Sequence, residues 1–142
     1  MKMRTSALFA LPVLAASLLL AGCTVTGPTE NFSGLPDEEH ITQTGGSEED
    51  GLQAFWIEEG DELAIAISGS STCPVVGSHI SVVEPKGEGN TVAITTVPIP
   101  GDKICTMDFV PHTSVFWTPS KVTPAEPLTI QIDGKEIVLP VK

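Results

Sequence analysis

Apolar positions fall into two textures along the chain. Residues 8–20 form an almost unbroken apolar run, whereas from residue 53 onward apolar side chains alternate with polar ones in short stretches separated by Gly, Pro, Asn and Asp. A period of two is the mark of half-buried strands, and it predicts strands over 54–58, 63–68, 79–84, 91–97, 106–110, 114–118, 128–133 and 135–141. Leu63, Ile65 and Ile67 share one face of their strand, as do Ile130 and Ile132 of theirs, so these are expected in the core. Phe55, Trp56, Phe109, Phe116 and Trp117 are the largest apolar groups available to join them. Asp133-Gly134 has the composition of a two-residue hairpin turn, Gly87-Glu88-Gly89-Asn90 suits a longer one, and Glu59-Gly60-Asp61 makes a third. The pattern predicts an all-β fold, a small antiparallel β-sandwich immunoglobulin-like in size, with a small barrel as the alternative. The absence of tyrosine excludes an immunoglobulin-type tyrosine corner.

The apolar run has a different purpose. Lys2 and Arg4 precede it and the small residues Ala21 and Gly22 follow it, which are the parts of an export signal over 1–22. It is shorter than the roughly 20 residues a membrane-spanning helix needs. The closing tetrapeptide Leu20-Ala21-Gly22-Cys23 resembles the bacterial lipobox. That resemblance implies a diacylglycerol on the Cys23 thiol, cleavage just before Cys23, and a protein anchored by lipid to the extracytoplasmic face of the cell membrane. Several acyl chains are needed for such an anchor to hold, because each buried methylene contributes only about 0.8 kcal/mol.

Composition sharpens the division. Beyond residue 22 the chain keeps all 18 acidic residues against five lysines and no arginine, a formal balance of −13. Such a surface repels phosphate backbones, so nucleic acid is not an expected partner, and basic partners would be attracted. Residues 24–50 hold seven of the acids, no lysine or arginine, and several Gly and Pro residues. They read as a flexible acidic linker, giving a domain plan of signal peptide 1–22, lipidated cysteine and linker 23–50, and β-sandwich 51–142. Asp37-Glu38-Glu39-His40 and Glu48-Glu49-Asp50 could alternatively hold cations, although such charge runs are ordinarily just solvated.

With Cys23 assigned to lipid, Cys73 and Cys105 remain as one pair in an oxidising compartment, where a disulfide is the default state. Neither belongs to a Cys-x-x-Cys redox motif. The segments Ser68-Gly69-Ser70-Ser71-Thr72-Cys73-Pro74 and Cys105-Thr106-Met107-Asp108-Phe109-Val110-Pro111, with Phe55-Trp56-Ile57 before them, are similar to small actinobacterial lipoproteins that share a Gly-Ser-Ser-x-Cys-Pro turn and a Cys-Thr-x-Asp stretch. The resemblance carries no assigned activity. Ser68 stands where many of those proteins have an aromatic residue.

Candidate chemistry is sparse. Ser70 and Ser71 are the serines that draw attention as nucleophiles, but they form no Gly-x-Ser-x-Gly elbow and no histidine is close in sequence. Glu58, Glu59, Asp61 and Glu62 surround a turn without the alternate spacing of a calcium loop. His40, His79 and His112, with Met107, are the residues from which a copper or zinc site would be drawn, and their spacing gives it no support. The expectation is a non-enzymatic, lipid-anchored binding or structural protein of the envelope, without a cofactor, joined to the membrane through Cys23 and to an envelope partner. An envelope hydrolase and a metal-binding accessory lipoprotein are the alternatives.

Overall fold

The computed structural model describes residues 25–142. They form nine strands: β1 (Glu30–Ser33), β2 (Ile41–Ser47), β3 (Leu52–Ile57), β4 (Glu62–Gly69), β5 (Gly77–Glu84), β6 (Thr91–Thr96), β7 (Val110–Trp117), β8 (Leu128–Ile132) and β9 (Lys135–Leu139). Two sheets result, ordered β1-β7-β4-β3-β2 and β5-β6-β8-β9, so the fold is an all-β sandwich. Pairing is antiparallel except between β6 and β8, which run parallel. The residues 97–127 that leave β6 and return at β8 include β7 in the opposite sheet, and a crossover of that kind brings β8 in beside β6 in the same direction.

The alternation predicted the core well. Trp56, Leu63, Ile65, Phe116, Val92, Ile94, Leu128, Ile130, Ile132 and Leu139 are all buried between the sheets. Trp56 is fully enclosed, and its indole N–H donates to the carbonyl of Pro140 at 3.1 Å, so its polar atom is satisfied. Asp133 and Gly134 have φ of 47° and 75°, the pair of positive values that a two-residue hairpin of this type demands. Three expectations are corrected. Residues 106–109 are irregular rather than strand, and Phe109 and Trp117 are exposed rather than core. The disulfide at Cys105 and the bonds of Thr106 and Asp108 to the turn 71–72 hold that stretch away from a regular ladder until β7 begins at Val110.

The third correction concerns the acidic linker. From residue 25 the chain is part of the sandwich: β1 pairs with β7 and β2 with β3, at opposite edges of the five-stranded sheet. The connection 34–40 must therefore cross a face of that sheet, a span of about 19 Å that is within the reach of seven residues. It crosses the outer face. Phe55, Ile57, Ala64, Ala66 and Val115 form a second apolar cluster there, with Phe32 and Ile41 packed against it, and Thr113 Oγ1 donates to the carbonyl of Gly34 at 2.6 Å. Ala64 and Ala66 are small enough for the strap to lie close. Gly45 and Gly46, which read as breakers, are positions of close approach: a β-carbon on Gly45 would run into the Val138 carbonyl of β9, and one on Gly46 into the Leu52 carbonyl. The signal segment and Cys23 lie outside the described residues.

Candidate functional site

Residues 97–109 join β6 to β7 across one end of the sandwich, and two devices hold them. Pro98 and Pro100 lack the N–H needed to prolong the β6 ladder, so the chain leaves the sheet after Val97, whose amide still donates to Val76 O at 2.8 Å. Cys73, placed just beyond β4, is bonded to Cys105 with a Cα–Cα distance of 5.5 Å, which confirms the expected disulfide. Beside it the two turn segments singled out in the sequence dock on one another. Ser70 and Thr106 hydroxyls are 2.8 Å apart, the Thr106 amide donates to Thr72 Oγ1 at 3.0 Å, and the Ser71 amide donates to Asp108 Oδ1 at 2.9 Å. Thr106 Oγ1 also donates to Asp108 Oδ1. Hydrogen bonds from Ser71 and then Thr106 hold the Asp108 carboxyl at a pKa of about 2.

What this frame displays is apolar. The staple faces inward, with Cys73 buried, and the residues flanking its other half face out: Ile104 is 94% exposed and Met107 fully exposed. Val97, Ile99 and Phe109 are exposed beside them, with the Phe109 ring resting over Gly51 in the turn between β2 and β3. Gly51 has φ of 68°, so the turn needs glycine twice over, for its backbone and for the ring. Scattered apolar side chains are normal on a surface, and here five of them, Val97, Ile99, Ile104, Met107 and Phe109, fall on one cross-linked loop of thirteen residues. The sequence carried a signal for it in Val97-Pro98-Ile99-Pro100, apolar residues locked between prolines without strand alternation.

The other candidates are placed as follows. Ser70 and Ser71 line a cavity of about 150 Å³ with His112, whose imidazole burial pushes below its usual pKa. Among the described residues no hydrogen bond joins His112 to either serine; both hydroxyls contact Thr106 Oγ1 instead, Ser71 at 3.3 Å. Comparison with known proteins finds no matching family model, no similar curated protein and no similar solved structure. His40, His79, His112 and Met107 are not gathered: His79 Nδ1 contacts its neighbour Ser78 on β5, Met107 is on the loop, and His40 is at the end of the strap. Asp37, Glu39 and His40 do come together, with donor atoms within 4.8 Å of one another. All three are exposed, and His40 already sits 3.0 Å from Glu58 and 3.5 Å from Glu39. Nearby, Glu62 is pushed above the usual carboxylate range by burial, then by the charge of Glu58, with Glu30 and Asp61 adding to it against a hydrogen bond from Thr29.

Proposed function

We propose that this protein is a lipid-anchored, non-enzymatic binding domain of the cell envelope, held at the membrane through Cys23, which presents residues 97–109 to a protein partner. The observation that carries the reading is the exposure of Ile104 and Met107 on a loop fixed by the Cys73–Cys105 bond and by the Ser70, Thr72, Thr106 and Asp108 contacts. Ordering the loop in advance removes entropy that binding would otherwise have to supply. Asp102, Asp108 and Asp133 lie around this end with Lys103, so the fitting partner is an apolar cleft with a basic rim.

The anchor and the contact surface fall at opposite ends of the sandwich in this reading. The described chain begins beside the Trp117 end of β7, where Val25 and Trp117 line one groove, while residues 97–109 lead into the Val110 end. Eight residues of strand put roughly 23 Å between them. A lipid at Cys23 would then leave the apolar loop pointing away from the bilayer.

The test is a photo-crosslinking residue placed at position 104 or 107 in the native host, with position 88 on the opposite end as the control. One protein captured from 104 and 107 but not from 88, binding the purified chain directly and losing that binding with I104D/M107D, is the expected result. Both substitutions are at exposed sites, so thermal stability should be unchanged. Crosslinks to lipid from 104, or the same products from all three positions, would overturn the proposal.

A further inference from the structure

A groove of about 630 Å³ lies where the segment 25–27, the β5 edge and the turn after β7 meet. Its apolar wall is Val25, Ile80, Val82, Trp117 and Pro119, and Lys121 is on its rim. Its volume is in the range of small-molecule sites and above that of the cleft beneath the strap, about 510 Å³. No carboxylate lines it, in a chain with 18 acidic residues. Trp117 is 53% exposed here. On the opposite side of the sandwich β2 and β9 close against each other, with Gly45 at the Val138 backbone; on this side β5 and β7 meet at one end, where the Gly77 amide donates to Ser114 Oγ at 2.9 Å, and at the other end Thr26 bonds to β5 and Thr29 to β7.

The position of the chain says what would fill it. Ile80 N donates to Thr26 O at 2.8 Å, and Thr29 N to Val115 O at 2.8 Å, so residues 26–29 are pinned along the groove and the chain enters at Val25. Cys23 is three residues before the pinned carbonyl, a reach of about 10 Å. We infer that this groove seats an acyl chain carried on Cys23. The inference rests on the lipid-attachment reading and adds to it that the domain shelters part of its own anchor, at about 0.8 kcal/mol for each methylene buried. One chain withdrawn into the protein leaves the others in the bilayer and draws the Trp117 end of the sandwich down to the membrane surface.

Trp56 and Trp117 are the two tryptophans, one enclosed in the core and one in the groove, so indole emission reports on occupancy. The probe is a palmitate brominated along its chain, added to the native lipid-bearing protein and to the same mature chain carrying Cys23→Ser and exported behind an ordinary cleavable signal. Loss of the Trp117 emission is expected in the Cys23→Ser chain, where the groove is free, and not in the native protein, where it is filled. Trp117→Phe should remove the quenchable signal, and Val82→Asp should prevent quenching while leaving the far-ultraviolet spectrum of the sandwich in place. The mass of the N-terminal peptide reads the anchor independently. A native peptide without added lipid overturns the anchor reading and this inference with it. Lipid-bearing protein quenched as fully as the Cys23→Ser chain, or a Cys23→Ser chain that is not quenched, overturns the groove assignment alone.

Discussion

Asp108 keeps its charge far into the acid range because Ser71 and Thr106 donate to it, and those same bonds tie the segment after Cys105 to the turn before Cys73. A carboxyl whose pKa is lower in the folded than in the unfolded chain contributes stability that is complete above the ordinary value of 3.8 and is lost as pH falls through about 2. Asp108→Asn should therefore loosen residues 97–109 at neutral pH. Hydrogen exchange of the loop amides, followed from pH 7 down to 2, should show a wild-type advantage that shrinks below 3.8 and has largely gone at the lowest pH. An advantage that does not change with pH would mean that the carboxylate is not what holds the loop. Asn90 is a second polar residue whose place only the structure explains. Its side chain is buried, its amide donates to the Thr123 carbonyl at 2.9 Å and to that of Pro127 at 3.1 Å, and its oxygen accepts from the Thr123 amide at 2.9 Å. Asn90→Ala leaves these buried groups unpaired, at about 1 to 3 kcal/mol for each one not reached by water, and denaturant unfolding should show it.

Among the elements, the strap changes the account most. Residues 25–50 carry the composition of a spacer, yet β1 and β2 complete the two edges of the larger sheet, and Phe32 and Ile41, on either side of 34–40, pack on its outer cluster. Limited digestion of the mature protein should accordingly leave a resistant fragment that includes residue 30. Phe32→Asp, which puts a charge against Phe55 and Val115, should expose the bonds of 34–40 to protease while β5, β6, β8 and β9 stay protected. Cleavage throughout 25–50 in the wild type would contradict the strap. Glu62 works the other way. Its raised pKa means that its proton is favoured in the folded chain, so the stability tied to it is present at low pH and declines as pH rises above 4.5.

For the molecule as a whole, the disulfide is the long-range tie between the two sheets' connections. Cys73 and Cys105 are 32 residues apart in sequence and belong to segments that follow strands of different sheets. Closing a loop of that size constrains the unfolded chain by about 3 to 4 kcal/mol. Cys73→Ser should lower the unfolding free energy by about that amount, and C73S/C105S by little more, because the first change already opens the loop. Equal stability of the oxidised and reduced protein in denaturant titrations would show that the bond adds nothing beyond packing.

The sequence by itself determined the layers of this protein. Alternation with a period of two named the strands from β3 to β9 apart from the irregular 106–109, placed Leu63, Ile65, Ile130 and Ile132 in the core, and the hairpin at Asp133-Gly134 followed from the need for positive φ. The pairing of two cysteines followed from their number once the third was assigned to lipid, and the bond is there. Tertiary structure decided what depends on neighbours distant along the chain. Glu30 to Ser33 and Ile41 to Ser47 have too little apolar content to announce strands, and they become strands because the edges of β7 and β3 offer them unpaired backbone groups. Phe109 and Trp117 have the same side-chain chemistry as Phe116, yet Phe116 alone points between the sheets, because each residue along β7 faces the side opposite to its neighbour and Phe109 precedes the strand. The apolar surface at Ile104 and Met107 exists for a related reason. Hydrophobicity measures how much a side chain gains from burial, and only the path of the backbone, fixed here by a disulfide and a set of hydroxyl contacts, determines whether there is anything to bury it against.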